Sequence, residues 1–288
     1  MKIGIIGAGK MGYTLGKHFS VCNHPNIQLV GYYSKNIMSA IDAADFTDSE
    51  YFDSLEKLVI QSDVLFITVP DDEIKSVSYM IKDCSCISKG KILCHTSGAL
   101  SSVEIKNIYS DVYTYSVHPI FAVSSKKSSY VDFGNAFITI EGDDEHIETI
   151  KEMFVSLGHN VKVISAKDKV KYHSAAVFSS NLVIGLYRMA EDLMKQCGFN
   201  EDEANLALKP LFINNAKKLI ESSCEEALTG PVERSDVDTI KKHLNILKNE
   251  YYDVYKLLSG KLLSVAEIKN YGRDYSDLYK ILDLEKDN

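Results

Sequence analysis

Met1-Lys2-Ile3-Gly4-Ile5-Ile6-Gly7-Ala8-Gly9-Lys10-Met11-Gly12 opens the chain. Its first six residues form an apolar run of strand length, and the segment from Tyr13 to Phe19 repeats its apolar positions at helical spacing. The order strand, glycine turn, helix is the setting in which Gly-x-Gly-x-x-Gly points to a bound dinucleotide. Gly7 permits the tight turn, Gly9 lets the backbone approach a pyrophosphate, and Gly12 lets the helix pack closely on the strand. The helix then turns unpaired N–H groups and the positive end of its dipole toward the phosphates.

The length of 288 residues allows one large or two ordinary domains. A formal charge of −8 argues against nucleic acid, whose binding is driven by phosphate neutralisation. No apolar run approaches a membrane span and the N-terminus reads as strand rather than leader, so a cytoplasmic chain without membrane contact is expected. Cys22, Cys84, Cys86, Cys94, Cys197 and Cys224 follow neither a zinc nor a disulfide spacing, and they read as reduced thiols with no metal.

Ile27–Tyr33 reads as a second strand ending in Ser34-Lys35-Asn36. No acid stands there to take a ribose 2′-hydroxyl. A hydroxyl and an ammonium suit a 2′-phosphate, so NADP(H) is expected in preference to NAD(H). Asp53–Ile60 reads as a short helix, Val64–Val69 as a fully buried strand stopped by Pro70, and Asp71-Asp72-Glu73 as a helix start whose acids serve the dipole. The strand Lys91–Cys94 delivers His95-Thr96-Ser97-Gly98 to its carboxyl end, where ligands bind in open α/β sheets. Ser101-Ser102-Val103-Glu104 resembles a capping box, and turn chemistry accounts for these polar residues as well as a cofactor does. Val112–Val117 ends in His118-Pro119, which holds a histidine extended beside the expected cleft as a general acid or as a buried structural group. A strand at 136–140, a helix over 144–157 stopped by Gly158 and a strand at 160–164 complete a doubly wound alternation.

Beyond Ser165 the periodicity is helical throughout, which sets the expected boundary: a dinucleotide-binding domain over 1–165 and an all-α domain over 166–288 for substrate and dimerisation. One long helix is expected from Lys171 to Gln196, placing His173 and Asn181 on a shared broad face. The next, Asp202–Glu221, should bend or divide at Pro210. The polar loop Ala227–Asp236 precedes a final helix with a seam of Ile240, Leu244, Leu247, Tyr251, Val254 and Leu258, and the tail Leu284–Asn288 should fray.

Together the glycine motif, Val69-Pro70-Asp71-Asp72, His95-Thr96-Ser97-Gly98-Ala99-Leu100, His118-Pro119, Tyr172-His173-Ser174-Ala175-Ala176-Val177-Phe178, Asn181 and Ala227-Leu228-Thr229-Gly230-Pro231 resemble a family of Rossmann-like proteins with a second domain of unknown function, the group labelled DUF2520. That group is related in layout to pyrroline-5-carboxylate reductase and the 6-phosphogluconate dehydrogenase superfamily. The resemblance implies NADP binding, an all-helical C-terminal domain and a homodimer formed through its helices, and leaves the substrate open. Ser235 departs from it, standing where the family usually has glycine.

The expected activity is NADP-dependent oxidoreduction of a small carbonyl, imine or hydroxy compound in the cleft between the domains. His173 and then His118 are the candidate proton carriers, and Asn181 a hydrogen-bonding partner of the reacting atom. Gly7, Ala8, Gly9, Lys10, Met11, Gly12, Ser34, Lys35, Val69, Pro70, His95 and Ser97 are the candidate cofactor contacts, with Thr229 and Arg234 for a substrate carboxylate. Two alternatives stand beside it. A prephenate or arogenate dehydrogenase shares the His-Pro, but this chain lacks a glycine shortly after it; a non-catalytic NADP(H) sensor would bind without turnover.

Overall fold

The computed structural model describes residues 1–285 apart from 85 and 88, so the end of the tail expected to fray lies outside the described residues. Its elements run β1 (Lys2–Ile6), α1 (Lys10–Val21), β2 (Gln28–Tyr33), α2 (Ile37–Thr47), β3 (Glu50–Tyr51), α3 (Leu55–Gln61), β4 (Val64–Ile67), α4 (Asp71–Asp83), β5 (Ile92–His95), α5 (Val103–Lys106), β6 (Tyr113–Ile120), β7 (Phe137–Gly142), α6 (Ile147–Ser156), β8 (Val161–Val163) and α7 (Lys169–Phe178). Helices alone follow: α8 (Asn181–Gln196), α9 (Glu201–Glu221), α10 (Cys224–Ala227), α11 (Val237–Ile246), α12 (Glu250–Lys269) and α13 (Ser276–Ile281). The chain forms two compact units, Met1–Asn181 and Leu182–Asn288.

The first unit is a doubly wound sheet with strand order β3-β2-β1-β4-β5-β6-β7-β8. Every neighbouring pair is parallel except β6 with β7. The strands are apolar at successive positions because both faces are covered. Ile3, Ile5, Phe66 and Cys94 go to the side holding Tyr13, Phe19 and Phe154. Ile6, Leu65, Ile67 and Leu93 go to the side holding Leu58, Ile74 and Ile81. Phe19, Phe66 and Phe154 form a ring cluster with centroids 5.7 to 6.3 Å apart; each fully buried ring contributes about 2–3 kcal/mol. The chain leaves β1 toward β2 on one side and reaches β4 on the other, so the topological switch lies between β1 and β4, where open sheets bind ligands.

Three helices differ from the sequence expectation. The helix expected from Lys171 to Gln196 is two, because α7 ends at Phe178 and α8 begins at Asn181, which removes the single-helix face shared by His173 and Asn181. The hydroxyls of Ser179 and Ser180 both take the Ala176 carbonyl there, competing with the backbone ladder. The final helix is broken after Ile246, since Asn249 adopts a φ of +52°. Ile240 accordingly leaves the expected seam for the second unit's own core with Leu263, Ala266 and Leu278, against which Leu244 packs. Conversely α9 runs unbroken through Pro210. A capping box at Asn200 and Glu203 fixes its start, and over 21 residues the single bond lost at proline is outweighed.

One buried imidazole pair ties α1 to the turn before β8. His159 Nδ1 donates to the Ala136 carbonyl at 2.9 Å, so its Nε2 accepts from His18 Nε2 at 2.8 Å. Burial, with the His159 ring beside it, pushes His18 down to about 4. Unfolded, the same ring takes a proton near 6.5. The unfolded chain therefore binds a proton that the folded chain refuses between pH 6.5 and 4, and stability falls with pH across that window by roughly 2–3 kcal/mol from this group. Urea midpoints should decline as the pH is lowered from 6.5 to 5, above the main carboxylate range, with buried His95 and His118 adding in the same sense; a midpoint level down to pH 5 would contradict burial of these neutral imidazoles. In the second unit, Ser235 has φ +58°, the left-handed region that favours glycine. Ser235→Gly should raise stability by ~0.5–1 kcal/mol in chemical denaturation, net of the 3.3 Å bond from its hydroxyl to the Asp274 carbonyl.

Candidate active site

The glycine turn has the geometry that a phosphate cradle needs. Gly7 adopts φ +104° and its amide donates to the Tyr33 carbonyl at 2.8 Å, which brings the end of β2 against the turn. A Cβ on Gly12 would stand 2.2 Å from the Gly7 carbonyl oxygen, so helix and strand meet at a distance that only glycine allows. A Cβ on Gly9 would meet nothing nearer than the Thr68 carbonyl at 3.8 Å, leaving that face of the backbone open to a ligand. No side chain caps α1 and no acid sits in its first turn. Ala8 is buried beneath the turn while Lys10 is exposed and Met11 half-buried at the helix start. Val69 packs against Gly7, Pro70 precedes α4, and Ser34 and exposed Lys35 follow β2. The Asn36 side chain is spent capping α2, accepting from Met38 and Ser39 amides.

A second cluster forms where β5 stops and β6 continues. The last parallel pair is His95 with Ser116; β6 then runs on through His118 and Pro119, paired only with β7. His118 thus lies within the strand, opposite Thr139, and not past its end as the sequence suggested. Helix α7 lies beside this stretch. The Tyr172 hydroxyl bonds His118 Nδ1, and Thr139 donates to the Tyr172 oxygen at 2.9 Å. Burial raises the Tyr172 phenol, so it keeps its proton and donates to Nδ1. That leaves the Nε2 proton of His118 facing Gly98. A Cβ on Gly98 would meet Nδ1 of His173 at 2.3 Å and Nε2 of His118 at 2.9 Å: two imidazoles converge over a residue with no side chain.

His118 is a poor general acid at neutral pH. Burial, reinforced by the charge of Lys169 and the neighbouring imidazoles of His173 and His95, drives it to about 3. His95, fully buried, falls to about 4 through burial and the same lysine. Its Nδ1 accepts the Ser97 amide at 3.3 Å, so its proton is on Nε2, and that atom has no partner within the described residues. Nδ1 of His173 is likewise buried and unpartnered. Orphaned buried polar atoms of this kind call for a ligand or ordered water.

Lys169 escaped the sequence reading. Only 1% exposed, it donates from Nζ to the Ser97 carbonyl at 2.9 Å. Burial pulls it down to about 8, against Glu141 and Asp71, whose charges hold it up. Its one legible signal is position: it stands four residues before His173 and three before Tyr172, on one helix face. Alternation with Lys167 and Lys171 disguises it as a solvated lysine. Ser97 turns out to be a hub. Its hydroxyl donates to Asp71 at 2.7 Å and accepts the amides of Ala99 and Leu100, while its carbonyl takes Lys169 and Ser116. Asp71 therefore does more than start a helix, and α4 has no side-chain cap. The capping box expected at Ser101–Glu104 is not formed; both serine hydroxyls donate to buried Glu141. A carboxylate reaching across from β7 outcompetes a local cap because it would otherwise be buried unpaired.

Among the remaining candidates, Asn181 is exposed at the head of α8, where the Ser180 hydroxyl contacts its Oδ1. Thr229 and Arg234 are exposed in the second unit, on the loop between α10 and α11. Among the described residues no helix is long and apolar enough to cross a membrane.

Known proteins share parts of this chain. YqeC of Bacillus subtilis (strain 168), provisionally named a 6-phosphogluconate dehydrogenase, is 28% identical over 158 residues, 54% of this chain and 50% of that protein. The 2-hydroxy-3-oxopropionate reductase of Escherichia coli (strain K12) is 25% identical over 57% of this chain and 54% of its own length. The chain thus spans about half the length of the curated relatives it matches. Protein TM1727 of Thermotoga maritima superposes with a TM-score of 0.72 at 26% identity, covering 93% of this chain and 99% of that one. Residues 1–118 match the Rossmann-like domain and residues 136–262 the domain of unknown function DUF2520, so the chain carries both, in that order.

Proposed function

We propose that this protein is an NADP-dependent oxidoreductase of a small carbonyl, imine or hydroxy compound. The observation that carries the proposal is the pairing of an open glycine cradle at the β1/β4 switch with a buried amine poised near neutrality. Dehydrogenase and reductase names among the partial relatives support the reaction class. Gly7 to Gly12 would hold the pyrophosphate, and Ser34 with Lys35 the ribose phosphate, since no acid ends β2 and Asn36 is committed to its helix. A bound nicotinamide coenzyme supplies or accepts the hydride.

The chain's own residues have the complementary task of moving one proton. Lys169 Nζ, near 8, gives up or takes a proton at modest cost, whereas His118 stays neutral and is better suited to orienting a substrate oxygen through its Nε2 proton. His173 and His95 offer their unpartnered nitrogens as further contacts. Within this proposal Asn181 keeps the role that its chemistry suggests, a hydrogen bond to the reacting atom, and Thr229 and Arg234 that of donors to a substrate carboxylate.

Titrating NADPH and NADH against the wild type and Lys35→Glu tests the cofactor. NADPH should weaken tenfold or more in the variant and NADH hardly at all; equal losses would remove the 2′-phosphate contact, and no binding of either coenzyme would overturn the proposal. With NADPH bound, a panel of 2-oxo acids, aldehydes and cyclic imines should include a substrate whose turnover falls ~10²-fold or more in Lys169→Met at unchanged cofactor affinity. Binding without any turnover would favour a sensor.

The same proposal includes a homodimer through the second unit's first two helices. None of the sixteen residues of α8 is buried and only Ala204 is buried in α9, yet Ile184, Leu206 and Ile220 are 70%, 79% and 84% exposed. Apolar surface on this scale marks an association face. Ile184→Asp combined with Ile220→Asp should convert a dimer to a folded monomer in sedimentation equilibrium, and a monomeric wild type would refute the assembly.

A further inference from the structure

The loop from Ser97 to Ser102 is clamped at both ends by carboxylates from different elements. Asp71, on the first turn of α4, takes the Ser97 hydroxyl at 2.7 Å. Glu141, 4% exposed on β7, takes the Ser102 amide at 2.8 Å and the hydroxyls of Ser102 and Ser101 at 2.7 and 3.1 Å. Lys169 donates to the carbonyl of the residue that Asp71 holds. We propose that Asp71 and Glu141 are the positioning residues of the Lys169 amine, acting through this loop and through their charge. The inference rests on Lys169 being the proton carrier of the site.

An ammonium that is 1% exposed would be expelled or neutralised without nearby negative charge. The groups facing Lys169 can be enumerated by element. The neutral rings of His95 on β5 and His118 on β6 add no favourable charge, and the Tyr172 ring of its own helix lies 5.9 Å from Nζ. Asp71 from α4 and Glu141 from β7 are the two that favour the protonated form, opposing burial. Each is held by neutral donors of the loop rather than by a cation, so its charge is left to act on the amine. The bond to Asp71 fixes Ser97, whose carbonyl is the direct partner of Nζ, and the bonds to Glu141 fix the far end of the same loop. Place and proton affinity are therefore set by the same two carboxylates.

Lysine labelled with ¹³C at Cε, its Lys169 signal assigned by loss in Lys169→Arg, reports this titration without coenzyme or substrate. The wild-type midpoint should lie near 8. Glu141→Gln and Asp71→Asn should each move it down by about one pH unit, a tenfold loss of proton affinity. Asp72→Asn, the exposed neighbour on the same helix, should leave it in place. Midpoints unmoved in both Glu141→Gln and Asp71→Asn, with circular dichroism intact, overturn the proposal. If Glu141→Gln does not fold, Asp71→Asn decides alone, since that residue is exposed and its mutation leaves the core unchanged. Failure of coenzyme binding would strike the oxidoreductase proposal and leave this titration standing.

Discussion

The approach of Gly12 to the Gly7 carbonyl sets the geometry from which the first unit follows. A side chain at residue 12 would lift α1 off β1, since its Cβ would lie 2.2 Å from the Gly7 carbonyl oxygen, and one at residue 7 would push against Val69 beyond β4 at 2.9 Å. With α1 seated, Tyr13, Leu15 and Phe19 reach the sheet face formed by Ile3, Ile5 and Phe66. The amide of Gly7 then closes on Tyr33, and Thr68 donates to the Gly7 carbonyl at 2.7 Å. Three strand ends are thereby locked around one turn. A phosphate cradle is a by-product of packing this tight: where helix meets strand without side chains, backbone N–H groups are left facing outward.

The cluster beyond β5 obeys a different constraint, the cost of burying polar groups. Four titratable side chains, His95, His118, Lys169 and Glu141, lie in or beside a region that apolar strands would otherwise fill. Burial alone would strip charge from all of them. The imidazoles do lose it, staying neutral well below the usual histidine range. The lysine and the glutamate instead find hydrogen-bonding partners, the lysine one carbonyl and the glutamate an amide and two hydroxyls. The result is a site where the cation is the group closest to giving up its proton, which histidine-centred reasoning from unperturbed values would not select.

What the sequence made legible was whatever local spacing determines. The glycine turn, the alternation of strands and helices, and the polar end of β5 all follow from periodicity and turn chemistry, and the structure has them in that order. Long-range partnership was not legible. Ser101 looked like a local cap because Glu104 stood three residues on, yet its hydroxyl goes to Glu141, 40 residues away. Lys169 looked solvated because its neighbours are, and only the folded chain shows Ser97, 72 residues earlier, under its Nζ. Helix breaks failed for a related reason. Pro210 carries a strong local penalty that a capped helix of 21 residues absorbs, while Leu247 turns extended after α11 and Asn249, at φ +52°, starts α12 anew, backbone angles that side-chain periodicity does not encode.

Rigidity at the Ser97–Ser102 loop has a physical cost that its chemistry explains. Ordering a short loop of small residues loses conformational entropy on the order of 1–2 kcal/mol per residue. A turn serving only to connect β5 to α5 would not need two carboxylates to hold it. The extra bonds make sense if the loop must keep the Ser97 carbonyl in one place while a proton enters or leaves the amine that it binds, because an acceptor free to follow the amine would return in reorganisation what it gave in binding. Gly98 fits the same requirement. Next to that carbonyl the chain carries no side chain at all, and the space is taken by His118 and His173, one fixed by Tyr172 and the other with an unpartnered nitrogen. A fixed acceptor, a neighbouring amine of moderate proton affinity and an imidazole nitrogen without a partner among the described residues thus stand together.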